Sequence, residues 1–240
     1  MFGLVLPPAT RNDSGMSRWE IRLAIAVIGL FAAQAVVQPA QATTFVAESE
    51  VSASAALASL PVKGRAPKTG YSRAAFGQTW ADVDRNGCDT RNDMLKRDLT
   101  EIVYKAKTRN CVVLSGTLQD RYSGETINFL RGNVTSMEVQ IDHVVALSNA
   151  WQTGAFKLSV AQRTALANDP LNLFAVKGRL NSQKSDGDAA TWLPPVKSFR
   201  CTYVAHQIAV KAKYSLWVTA PEKDAMVRIL AACPRQALPQ

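Results

Sequence analysis

The sequence predicts a single compact α+β domain, and three observations carry that expectation. Segments with apolar residues at helical spacing stand beside short β-like runs. The 240 residues are 47% hydrophobic and 20% charged, enough to bury one substantial core. All four cysteines, Cys88, Cys111, Cys201 and Cys233, fall after residue 42, so the same stretch holds both core and staples.

The first 42 residues read as a separate element. Arg18 and Arg22 precede Leu23 to Val37, a run with no charge and one polar residue, Gln34, and Ala40-Gln41-Ala42 follows. A basic start, an apolar stretch and small residues at an A-x-A end are the pattern of a secretory signal peptide, with Met16 an alternative start. A membrane anchor is the rival reading, but the run is short against the ~20 residues needed to span a bilayer. The expected product is secreted or periplasmic, with no stable membrane association after cleavage.

The charge balance is +9, from 28 Lys+Arg against 19 Asp+Glu. Residues 1–42 hold three of the basic and two of the acidic residues, so +8 remains on the mature chain. Such a balance favours polyanions: nucleic acid, anionic cell wall or a membrane surface. An even cysteine count in an exported chain reads as two disulfides. A zinc site would want close C-x-x-C pairs, and none is present. Of three possible connectivities, Cys88–Cys111 with Cys201–Cys233 is preferred because it staples neighbouring segments.

Taken in order, residues 46–60 read as a short helix ended by Pro61, and 62–71 as an exposed basic connector. Met94, Leu95, Leu99, Ile102 and Val103 predict a helix over 92–105. Two strands, 111–118 and 125–130, flank a Ser123-Gly124 turn, and a third, 137–141, ends at Asp142-His143. Ser159 and Gln162 form a capping-box pattern that opens a helix through Ala167, which Asn168-Asp169-Pro170 stops. A short β-like run, 171–176, leads into Lys177-Gly178 and a helix start. Two helices close the chain, one over 198–214 and one opened by Pro221 and running to Cys233.

Asp82-x-Asp84-x-Asn86-Gly87 has the opening spacing of a calcium loop. Its twelfth position is Asp93 where a bidentate Glu is usual, so a hydrogen-bonded Asx turn beside a disulfide is preferred to Ca²⁺.

Only two histidines are present, His143 and His206. His206 sits mid-helix among Val204, Ile208 and Val210, as a packing or surface residue would. His143 follows Asp142 at a strand end, and Asn172, Asn181 and Lys184 come later. These residues resemble a known family, the HNH nucleases, and most closely the exported branch of the group that includes the GmrSD restriction-nuclease C-terminal domain. The resemblance rests on Asp142-His143-Val144-Val145-Ala146-Leu147, Asn168-Asp169-Pro170-Leu171-Asn172-Leu173, Asn181-Ser182-Gln183-Lys184-Ser185-Asp186 and Trp192-Leu193-Pro194. Trp80-Ala81-Asp82-Val83-Asp84 and Cys88-Asp89-Thr90-Arg91 belong to it too, and it covers roughly residues 60–233.

The resemblance implies a ββα-metal core in which two antiparallel strands and a helix grip one divalent ion. It makes His143 the general base, Asp142 and Asn181 the metal ligands, and Asn172 the residue that fixes the loop or orients the base. Asn181 stands where the family name has His. Oxygen ligands suit Mg²⁺ or Mn²⁺ better than Zn²⁺. Lys184 is either a phosphate contact or a solvated helix-face lysine, with Arg179 and Arg91 weaker contacts. The expected organisation is a leader, 1–42, an N-terminal helix and connector, 43–70, and a nuclease domain, 71–240. The expected function is metal-dependent endonucleolytic hydrolysis of DNA and/or RNA with low sequence specificity. A basic nucleic-acid or cell-surface binding protein with a degenerate site is the alternative. A metal-dependent peptidase would want more His and Glu ligands than two histidines allow.

Overall fold

A computed structural model describes residues 51–240. The expected signal peptide and residues 43–50 lie outside the described residues. Helix α1, Ala53–Ser59, starts where the Ser52 hydroxyl accepts from Ala55 N and buries Ala53, Ala56 and Leu57. The connector after Pro61 is exposed and basic as expected, yet pinned. Lys63 N donates to Val218 O, Ala66 N to Gln152 O, and the Arg65 guanidinium to Asp188 at 2.6 Å.

Helix α2 spans Thr90–Asp98, with Asp89 as its cap. The helix expected over 92–105 therefore ends seven residues early, and Leu99–Tyr104 forms strand β1. Thr100, Ile102, Val103 and Tyr104 are β-branched or aromatic, and pairing with a neighbouring strand overrides their approximate helical spacing. That neighbour is β2, Val113–Gln119, which also pairs with β3, Thr126–Leu130, giving an antiparallel β1-β2-β3 sheet. The Cys88–Cys111 disulfide holds the approach to α2 against the start of β2.

Strand β4, Val139–His143, pairs antiparallel with β5, Leu173–Lys177, so that Ile141 lies opposite Ala175 and His143 opposite Leu173. Between them come α3, Leu147–Gln152, whose residues are all buried, and α4, Val160–Ala167, opened by the expected Ser159/Gln162 capping box. Helix α5, Gly178–Lys184, follows β5 without a loop. That junction requires glycine: a Cβ on Gly178 would stand 1.9 Å from Met137 O, whose neighbour Glu138 O accepts from Gly178 N. The order β4, β5, α5 is the ββα unit.

Helices α6, Arg200–Lys213, and α7, Ala220–Leu230, complete the domain, joined by the Cys201–Cys233 disulfide. Both pairings are those preferred from sequence. Tyr203, Val204 and Ile208 of α6 pack with Leu57 of α1, Phe174 of β5 and Met226 of α7. A second cluster gathers Met94, Leu95, Leu99, Phe129, Val139 and Ile141, which anchors β4 to α2 and the three-stranded sheet. Among the described residues, no helix is long and apolar enough to cross a membrane.

Candidate active site

Side chains alternate along a strand, so Asp142 and His143 leave β4 on opposite faces. The two faces are built differently.

Asp142 is buried. Its Oδ2 accepts from the Tyr122 hydroxyl at 2.6 Å and its Oδ1 from Lys184 Nζ at 2.9 Å. The same ammonium donates to the His143 backbone carbonyl at 2.8 Å. Burial pushes the Asp142 carboxyl above the usual range, while the Lys184 charge and the hydrogen bonds from Tyr122 and Lys184 pull it back. Lys184 is fully buried, so its ammonium braces the Asp142-His143 peptide from within and stands on no solvated face.

His143 lies on the other face, 7% exposed, with Nε2 at 2.9 Å from Ala167 O at the end of α4. A carbonyl oxygen only accepts, so Nε2 carries the hydrogen and Nδ1 is the lone-pair nitrogen. Burial lowers the imidazole pKa to about 4, with Arg73 and Lys184 acting the same way and the Ala167 bond opposing them. The ring is therefore neutral near pH 7. The indole of Trp80 stacks on it, centroids 5.8 Å apart and planes within 13°.

Asn172 is buried and clamps the chain after His143. Its Oδ1 accepts from Val145 N at 2.8 Å, and its Nδ2 donates to Val145 O and Leu166 O. Asn172 O also accepts from Val144 N. Asn181, on α5, donates from Nδ2 to Gln140 Oε1 at 2.8 Å. Gln140 sits two residues before Asp142, on the same face of β4. The structure thus joins Asp142, Lys184 and the His143 backbone in one cluster and gives Asn172 its own. Asn181 joins neither through a side-chain hydrogen bond.

For a metal, this face offers the Asp142 carboxylate and the Asn181 carbonyl oxygen, which its amide nitrogen's bond to Gln140 leaves over. Both are hard oxygen donors, a set that suits Mg²⁺ or Mn²⁺ better than Zn²⁺. Among the described residues no group of three His, Cys, Asp or Glu is placed to hold an ion, and Lys184 already neutralises the carboxylate. The loop at Asp82 is a hydrogen-bonded turn: Asp82 accepts from Asn86 N and Gly87 N, and Asp84 from Asn86 N and its amide. Its acceptors face its own backbone.

Sequence reasoning did not single out Tyr122, the partner of Asp142, which lies 20 residues upstream in a turn. Trp80 and Asn168 figured only as parts of motifs, and Arg73, which lines the cavity beside His143 with them, not at all. His206 is half-buried, its Nδ1 3.0 Å from Leu171 O and its ring edge-on to Phe174 at 4.7 Å.

A ββα unit with an Asp-His pair at its strand end is the core of an HNH-type nuclease-like domain. The family model for the C-terminal domain of GmrSD restriction endonucleases matches residues 89–229, and the chain belongs to this family. An uncharacterized secreted protein of Arthroderma benhamiae is 37% identical over 187 residues, covering 77% of this chain and 86% of that protein. No solved structure matches the chain. With two disulfides and a secreted relative, the protein is placed in an oxidising compartment outside the cytoplasm.

Proposed function

We propose that this protein is an exported endonuclease that hydrolyses phosphodiester bonds of DNA and/or RNA with low sequence specificity, using His143 as general base. The observation that carries the reading is the Asp142-His143 pair at the strand end of a ββα unit in a chain of this family, with the bond from His143 Nε2 to Ala167 O leaving Nδ1 as a neutral, oriented base. In the reaction Nδ1 takes a proton from water, the water oxygen bonds to phosphorus, and the bond from phosphorus to the leaving oxygen breaks. Asn172 fixes the loop that follows His143, and Lys184, Tyr122 and Asp142 brace its backbone from behind. By the family resemblance Asp142 and the Asn181 carbonyl oxygen would hold a divalent ion, Mg²⁺ or Mn²⁺, once Asp142 gives up its bond from Lys184, and the ion would supply charge stabilisation for the phosphoryl oxygens. The net positive charge supports a polyanionic substrate.

One observation favours the alternative, a basic binding protein with a degenerate site: the Trp80 indole covers His143. Purified protein incubated with plasmid DNA and with RNA, in Mg²⁺ or in EDTA, separates the two. Cleavage in Mg²⁺ that EDTA abolishes, with the melting temperature barely changed, is the expected result. Shifted but uncut nucleic acid under every condition would leave only the binding reading.

A further inference from the structure

Beside His143 lies a small cavity of about 20 Å³, lined among others by Arg73, Thr79, Trp80, Leu147 and Asn168. That is space for one water molecule, and far too little for a nucleobase or a sugar. Asn168 follows directly on Ala167, whose carbonyl fixes the His143 tautomer, and its side chain is 1% exposed. Its amide nitrogen donates to Thr164 O at 2.9 Å in the last turn of α4. Its carbonyl oxygen is buried and has no partner among the described residues. The orientation is not interchangeable, because a flipped amide would set two carbonyl oxygens against each other at Thr164. Leaving a buried acceptor unmade costs about 1–3 kcal/mol, so such a group calls for a partner that the described residues do not supply.

We infer that Asn168 is a water-positioning residue: its Oδ1 accepts one hydrogen of the attacking water while His143 Nδ1 faces the other. A water brings two hydrogens, and the two cavity-lining residues His143 and Asn168 each keep an acceptor, Nδ1 and Oδ1, with no hydrogen bond among the described residues, while Trp80 stacks on the imidazole face. The residue deepens the nuclease reading and rests on it. Ala167 and Asn168 thereby act as a pair from one helix end, the first setting the tautomer of the base and the second the orientation of the nucleophile.

The test separates the two halves of the amide. Asn168→Ala removes both the acceptor and the tie to Thr164. Asn168→Asp keeps an acceptor and removes the tie. Loss of one positioning hydrogen bond predicts a kcat about 10–100-fold lower for Asn168→Ala, with KM within about twofold of the parent. Asn168→Asp is expected to recover most of that loss although its melting temperature falls at least as far. Equal loss in both variants, in step with their melting temperatures, would assign Asn168 a structural role and overturn the inference. A crystal structure of the unsubstituted protein provides a measurement independent of folding: an ordered water within hydrogen-bond distance of both Asn168 Oδ1 and His143 Nδ1 supports it, and a dry cavity refutes it. His143→Ala is the control that keeps the two failures apart. If His143→Ala is inactive and Asn168→Ala is fully active, only the role of Asn168 falls. If His143→Ala is itself fully active, the nuclease reading built on His143 falls first.

Discussion

The two histidines make similar hydrogen bonds and have different surroundings. Each uses one ring nitrogen on a backbone carbonyl, His143 through Nε2 on Ala167 and His206 through Nδ1 on Leu171. Burial lowers the pKa of both. Around His206 the neighbouring groups are spent. Its ring edge packs on Phe174, over which the Arg97 and Arg121 guanidinium groups lie at 5.4 and 4.7 Å, and both arginines pair with Asp98. Around His143 groups are left over: an unpartnered amide oxygen on Asn168, a water-sized cavity, and an exposed Arg73 that forms no ion pair among the described residues. A carbonyl-bonded buried imidazole is common to both regions and so identifies neither. The unspent groups beside it make the difference.

The largest effect expected from that contrast is on chemistry. His143→Ala should lower cleavage by about 10²–10⁴-fold, the usual worth of a general base, with the fold retained. His206→Ala should leave the rate within about threefold, because the reading gives it no part in proton transfer. Initial rates on one plasmid substrate decide this, and equal losses would erase the distinction between the two regions.

A stability effect comes next. Lys184→Ala would strand the buried Asp142 carboxylate without its cation, at a cost of about 3–5 kcal/mol by denaturant unfolding. Pairing it with Asp142→Ala, which removes the stranded charge, should recover part of that loss. A Lys184→Ala protein as stable as the parent would mean that the brace behind His143 is not there.

The smallest effect is the pH dependence. A histidine whose folded pKa is depressed below its unfolded value of about 6.5 binds fewer protons folded than unfolded, so its contribution is present above that pH. For His143 the contribution is lost as pH falls from about 6.5 to about 4. Unfolding free energies measured across this window should therefore slope upward with pH, and His143→Ala should flatten the slope. His206→Ala should act in the same direction. A slope indifferent to both substitutions would contradict the burial of the two rings.

Much of this was legible in the sequence where local chemistry decides. The Ser159/Gln162 capping box, the disulfide pairing and the strand ending at His143 depend on residues close along the chain, and they appear as read. The clamp by Asn172 was legible only through the resemblance, as one of two roles. What escaped depends on distant partners. Leu99–Tyr104 reads as the tail of a helix until β2 is there to pair with it. Lys184 reads as a phosphate contact or a solvated helix-face lysine because nothing local announces that Asp142, 42 residues earlier, lies across from it. Helix α3 begins without a side-chain cap and has only six residues, too short a run for the spacing of Leu147, Ala150 and Trp151 to stand out in the sequence.

The edge of the domain near Val51 has a consequence for the timing of folding. Leu238 N donates to Val51 O, Ala53 N donates to Gln236 O, and α1 packs on α6 and α7. A ribosome adding about 5–20 residues per second needs on the order of ten seconds or more to pass from α1 to these partners. Until then Leu57 and Leu60 have no surface to bury against, and the first helix made is among the last to dock. The core around Phe174 and Tyr203 therefore closes only after α7 has been made, and the site on β4 and β5 matures with it.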